Sequence, residues 1–269
     1  MRNALQTWVV CAAMFAPLAA PAQGQYGAGD PSAAAGPDLP AQAEQLLELG
    51  NRARSIAGVG RLEWDPALAA AALYHCRWMA QQGPIAHRYN GEPDLSVRAN
   101  QAGARFGLIE ENVAFGSNPA TIHEAWMQSP GHRANMLSPN VDRVGIAVIA
   151  SRGMLYAVAD YSRGVENLSA EQVEARVADL MRVSGIAIES DPTTARKACA
   201  MNSGFPVNAA GQEPRFVDRW QDPNLDKLPQ SLADKLATGN FHSAAIGSCA
   251  PLRAVQGAFT SYRVAVLLY

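Results

Sequence analysis

Apolar residues recur at helical spacing through the first half of this chain, then give way to two strand-like runs, and a shorter version of the same succession follows. Leu46, Leu47 and Leu49 mark the inner side of a helix from about Ala41 to Arg54. Asp65-Pro66 is a strong helix start, and Leu68, Ala72, Cys76, Met79 and Ala80 form a buried stripe up to Gln82-Gly83-Pro84. His75 flanks that stripe and reads as a structural or surface residue. The stretch from Gly91 to Gly107 is irregular, with a short helix predicted over Leu95 to Ala102.

Asn118-Pro119 caps and starts another helix, whose apolar face is Ile122, Ala125 and Trp126. Ser129 is a good N-cap and Pro130 a good first helical residue, so His132 falls in the first turn of a second short helix closed by Ser138-Pro139. A histidine at that positive dipole end is biased toward neutral imidazole, suited to metal binding or acid-base work. Val144 to Ala150 and Met154 to Tyr161, around Ser151-Arg152-Gly153, read as a β-hairpin. Helices before a hairpin predict an α-β-α sandwich, which buries both faces of the sheet.

The remaining hundred or so residues repeat the order of elements in shortened form. Ser169 and Gln172 form a capping box ahead of Val173, Val177, Leu180 and Met181. A short apolar passage at Ile186 to Ile188 leads to a helix with Ala195, Ala198 and Cys199, as Leu62 to Trp64 leads to the helix with Ala72 and Cys76. A helix with Leu228, Leu232 and Leu236 precedes strands at Ala244 to Cys249 and Phe259 to Leu268. Residues 168–269 are therefore either a degenerate copy of the first domain or an unrelated small α+β domain. They lack a Glu-Asn pair and a Pro-Gly-His helix start, and His242 has neither context.

Residues 1–22 combine an early arginine, an apolar run from Trp8 to Ala20 and an Ala-Pro-Ala ending, the pattern of a cleavable secretory signal. The run is shorter than the roughly 18 residues a membrane span needs, and no later segment is apolar enough. Residues 23–40, rich in Gly, Ala and Pro, read as a flexible linker. The net charge of −2 gives no electrostatic reason to expect a nucleic acid or an anionic membrane. Export makes a disulfide permissible, and the cysteines left after signal removal are Cys76, Cys199 and Cys249. Cys199 and Cys249 are expected to pair, with Cys76 reduced in its helix.

The run Trp126-x-x-Ser129-Pro130-Gly131-His132-Arg133-x-Asn135-Met136-Leu137 resembles the signature of bacterial members of the CAP superfamily, which includes cysteine-rich secretory proteins, antigen 5 and pathogenesis-related proteins. Asn51-x-x-Arg54 and the Leu62-x-Trp64-Asp65 passage resemble the opening of such a domain, and the likeness extends over residues 41–163. The resemblance implies an α/β (α+β) fold of CAP type, an α-β-α sandwich, followed at 168–269 by the smaller α+β domain.

It also implies a cleft holding His87, from the loop after the second helix, Glu111 and His132. Glu110 stands where the family pattern has a glycine before Glu-Asn, which puts the local turn in question. Read alone, Glu110 and Glu111 are two solvated loop carboxylates. Where many relatives carry a second cleft glutamate, counted from Trp126, this chain has Ser129. Two imidazoles and a carboxylate match a divalent metal site, zinc first, with an open position. His123 reads as a helix-face residue. No serine or cysteine has a recognisable base beside it.

The expectation is an exported protein, periplasmic or secreted, whose cleft binds a divalent metal and/or a small-molecule, peptide or envelope ligand. The alternatives are a non-catalytic interaction module with a structural polar cleft, and a metal-assisted hydrolase.

Overall fold

Prolines and acids start most of the early helices where the local chemistry requires. The computed structural model describes residues 40–206, 212–252 and 259–269. Residues 1–22, read above as a secretory signal, and 23–39 of the stretch read as a linker lie outside the described residues. Helix α1 runs Ala41–Ile56 and strand β1 is Glu63–Trp64. Helix α2, Pro66–Gln82, starts with the Asp65 carboxylate accepting from the backbone N–H groups of Ala67 and Leu68. Helix α3 is Leu95–Gln101, strand β2 is Phe106–Gly116, and helices α4 and α5 are Pro119–Gln128 and Pro130–Leu137. Strands β3, Arg143–Ser151, and β4, Met154–Gly164, make the hairpin, with Arg152 and Gly153 at positive φ in its turn.

These strands form one sheet in the order β1-β3-β4-β2, with β1 parallel to β3 and the other pairs antiparallel. Strand alternation sends Val144, Ile146, Ala157 and Ala159 to one face, where they pack with Leu46, Ile122, Trp126 and Met136 of α1, α4 and α5. Val113, Ala147 and Val158 go to the other face, against Ala72, Cys76 and Met79 of α2. The result is the α-β-α sandwich. Ala125, placed on the apolar face from sequence, is exposed. Arg54 is buried and donates to the carbonyls of Gly60 (2.6 Å), Met136 (2.8 Å), Ser138 (2.8 Å) and Val141 (3.1 Å), tying α1 to the end of α5.

The second half builds its own sheet. Helix α6 is Ala170–Arg182, strand β5 Ala187–Ile188, helix α7 Thr193–Ala200 and strand β6 Phe216–Asp222. Helix α8 is Gln230–Ala237, and strands β7 and β8 are Ser243–Cys249 and Tyr262–Leu268. The order is β5-β7-β8-β6, again with one parallel edge pair and two antiparallel pairs. Val177, Met181 and Leu232 cover one face, and Ala195, Ala198 and Cys199 cover the other. Strand β6 is not marked in the sequence, because Val217-Asp218-Arg219-Trp220 mixes charge into a half-buried edge strand. Cys199 and Cys249 are disulfide-bonded with Cα atoms 5.8 Å apart, and Cys76 is free and buried.

The two sheets can be aligned through their edge pairs. Asp65 N–H donates to the Val144 carbonyl, and Glu189 N–H donates to the Ala244 carbonyl. Val144 faces Tyr161, and Tyr161 faces Glu110; Ala244 faces Leu268, and Leu268 faces Phe216. By this register Glu111 and Asp160 of the first sheet correspond to Val217 and Leu267 of the second.

The halves touch along the start of β2. Thr260 N–H donates to the Phe106 carbonyl at 2.8 Å, and the Phe106 and Phe259 rings meet edge to face, their centroids 5.4 Å apart. Gly107, at a register shift in β2, is backed by Pro223 so closely that a Cβ there would collide with the proline ring. None of the helices among the described residues is long and apolar enough to cross a membrane.

Candidate functional site

Strand β2 is an edge strand, and the cleft residues collect around that edge. Glu110, Glu111 and Asn112 sit in the strand itself, not in a loop or turn. Among the described residues Arg152 alone combines a side chain with positive φ, so Glu110 fits its backbone without strain. Alternation then separates the triplet. Glu111 faces α2 and α3, while Glu110 and Asn112 face α5.

The loop between α2 and α3 carries His87 to Glu111. His87 Nδ1 lies 2.9 Å from Glu111 Oε1; the histidine side chain is 59% exposed and the glutamate side chain 3%. A buried polar set fixes that loop. His75, fully buried, places Nδ1 2.6 Å from Glu92 Oε1 and Nε2 2.8 Å from the Ala86 carbonyl. Glu92 also accepts from the Tyr89 N–H at 3.0 Å. Of the two readings left open for His75, structural or surface, its burial selects the structural one, and its partner lies beyond the reach of local sequence inspection. Arg98 of α3 forms an ion pair with Glu111 and lies 3.6 Å from Glu92, so one buried guanidinium serves two buried carboxylates.

His132 approaches from the other side of the strand edge. Asn112 donates to the His132 carbonyl at 2.8 Å, and Asn135 donates to Asn112 Oδ1 at 3.0 Å and to the Glu111 carbonyl at 3.2 Å. These bonds hold the first turn of α5 against β2. The rings of His87 and His132 stand 6.2 Å apart, inclined at 53°. Three side chains far apart in sequence therefore converge. Ser129 is the N-cap of α5 but makes no side-chain cap bond, and it does not line the hollow beside His87.

The two imidazoles have opposite proton affinities. The bond to Glu111 raises the pKa of His87, with burial opposing it. Burial lowers that of His132, and the neighbouring His87 lowers it further. Behind Glu111, Asp160 is its cross-strand partner on β4, fully buried, with neither carboxylate oxygen hydrogen-bonded. Burial first, and then the charge of Glu111, hold the Asp160 carboxyl well above the usual carboxylate range. An aspartate inside the apolar run Ala157 to Tyr161 was its sequence signal; Arg98 left none.

As arranged, these side chains do not form a metal ligand set. Glu111 already accepts from His87 and pairs with Arg98, whose charge opposes a cation. Two imidazoles on one tetrahedral zinc would have centroids about 5 Å apart, given metal-nitrogen bonds of about 2.0 to 2.1 Å. Among the described residues no group of three or more His, Cys, Asp or Glu is placed to hold a metal ion.

A hollow of about 470 Å³ opens beside the pair, lined by His87, Arg88, Asp94, Leu95, Ser96, Ile109, Glu111 and Phe259. Arg88 and Asp94 pair across it at 2.6 Å. Glu110 lines a separate hollow on the α5 side with Arg133 and Asn135. His123 of α4 has its Nε2 buried without a partner, beside an apolar groove with Leu49 and Leu137. Burial lowers its pKa.

Residues 47–161 match the model of the cysteine-rich secretory protein family, CAP, so this part of the chain is a CAP domain. The membrane protein YlbC of Bacillus subtilis is 30% identical over 107 residues, 39% of this chain and 31% of the relative. YkwD of the same organism is 29% identical over 112 residues, 40% of this chain and 42% of the relative. The match thus spans less than half the length of either. An extracellular protein of Bacillus anthracis containing an SCP domain is 25% identical in structure-based comparison, with a TM-score of 0.43, over 48% of this chain and 45% of its own.

Proposed function

We propose that this is an exported CAP-domain binding protein whose cleft, formed by Glu111, His87 and His132, takes a small or peptide ligand in the periplasm or outside the cell. The observation that carries the reading is the approach of His87 Nδ1 to the buried Glu111 carboxylate, with His132 facing it. Burying a carboxylate costs several kcal/mol unless it is paired, roughly, and a half-exposed histidine above it offers a polar group to a ligand. The disulfide between Cys199 and Cys249 is in keeping with export.

A divalent metal is a further occupant for the cleft, and its entry requires Glu111 to turn from Arg98. Calorimetry of the mature protein with zinc, magnesium and calcium, repeated on His87→Ala with His132→Ala, tests this. Saturable heat lost in the double variant is the result expected for a metal cleft. No heat with any ion removes metal from the proposal.

A second reading, a polar cleft that is purely structural, is favoured by one observation: Arg98 already neutralises Glu111. Under that reading the double histidine variant loses stability and alters no ligand's binding. A metal-assisted hydrolase has less support, since Arg98 holds Glu111 and its charge opposes a cation there.

A further inference from the structure

The hollow beside His87 is not closed by the CAP domain alone. Seven of its lining residues come from the loop between α2 and α3, from α3 and from β2, and the last is Phe259, which precedes β8 in the other half of the chain. Phe259 is 47% exposed although aromatic, and its ring rests edge to face on the buried Phe106. The backbone is fixed there too, because Thr260 N–H donates to the Phe106 carbonyl. A large ring held in place on one side and bare on the other is a contact surface with little ordering cost left.

Resting on the reading of the cleft as a ligand site, we propose that Phe259 is a specificity-determining residue: it gives the cleft an apolar wall that selects ligands with an aromatic or branched body and a polar head that hydrogen-bonds His87.

The walls divide by chemistry. Phe259, Leu95 and Ile109 supply apolar surface, while His87 stands at the polar end with Nδ1 engaged by Glu111 and Nε2 left for a ligand. Glu111 pairs with Arg98, and Asp94 with Arg88, so the carboxylates along the wall are engaged by the protein's own cations. The volume suits a small molecule, since ligand hollows run from roughly 300 to 1,000 Å³. The second half of the chain thus takes part in the function of the first by lending it a side chain.

The test uses the full mature chain and three probes: phenylacetate, acetate, and 2-phenylethylamine, which keeps the ring and reverses the charge. Ligand-observed NMR titration should rank both ring-bearing probes above acetate. Phe259→Ala should weaken phenylacetate by about two- to tenfold, the range of an aromatic contact, and Phe259→Leu by less. Acetate should be indifferent to both changes. Circular dichroism melting of each variant establishes that it is folded, and Phe259→Leu keeps the packing on Phe106. Phenylacetate binding lost in His87→Ala but unchanged in Phe259→Ala and Phe259→Leu would overturn this inference and leave the cleft reading standing. A wild-type protein that binds none of the probes overturns the inference, and binding insensitive to His87→Ala counts against the cleft reading as well.

Discussion

Glu111 and Asp160 stand directly opposite each other on β2 and β4, two buried carboxyl groups in register across an antiparallel ladder. Like charges in that relation repel, and Arg98 pairs with Glu111. The second sheet has Val217 and Leu267 at the corresponding positions, packed with Ala195 and Cys199. The same strand order therefore appears twice, with a polar centre in one sheet and an apolar centre in the other. The polar version is the less stable choice for a core, and it is found where the cleft is.

That cost should be visible in the pH dependence of folding. The Asp160 carboxyl has a folded-state pKa raised by burial and by Glu111, with Arg98 opposing, so the folded protein holds a proton that the unfolded chain gives up near pH 4, approximately. The stability linked to that proton is full below the unfolded value and is lost as pH rises through the folded one. Asp160→Asn cannot ionise and should flatten this part of the profile. Thermal unfolding of both proteins from about pH 4 to 8 measures it, and parallel profiles would count against a protonated Asp160.

How much of this was legible depended on the range of each interaction. Helix starts at Pro66, Pro119 and Pro130, the hairpin turn at Arg152-Gly153 and the capping box of Ser169 with Gln172 are local, and all could be read from neighbouring residues. The resemblance supplied His87, Glu111 and His132 as one cleft. Strand β2 was hidden because its middle residues, Glu110, Glu111 and Asn112, are polar on both faces of an edge strand, which erases the alternation that marks a half-buried strand. Arg98, Asp160 and Phe259 escaped for another reason. Their roles exist only once α3, β4 and the second half of the chain are laid against β2.

Close helix-to-sheet approach provides a second test, and it compares the halves. At Gly145 of β3 a Cβ would run into the backbone of Leu68 and Ala69 in α2; at Gly247 of β7 it would run into Ala195 and Arg196 in α7. Backbone cannot yield as a side-chain tip does. Gly145→Ala and Gly247→Ala should each destabilise by about 3 kcal/mol, the upper part of the range for overpacking. Urea unfolding measures both. Residues 38–269 make one compact unit, so each substitution should shift a single shared transition. Separate transitions would show the halves unfolding independently.

The cysteines give the last test, since burial and pairing assign them different chemistry. Cys76 lies in the core beneath β4, its Sγ donating to the Tyr156 carbonyl at 3.1 Å, and burial pushes its thiol up to about 12. At neutral pH it offers almost no thiolate, and no path for a reagent. The folded mature protein, without residues 1–22 and their Cys11, should resist iodoacetamide and take up one equivalent per chain only on unfolding in denaturant without reductant. Peptide mapping should then place the label on Cys76 and find Cys199 joined to Cys249. Removing that bridge by Cys199→Ser with Cys249→Ser should cost about 2 to 4 kcal/mol, the usual worth of a disulfide. Rapid labelling of the native protein at Cys76 would mean that the α2 face opens readily, and with it the base on which His75, Glu92 and Glu111 are set.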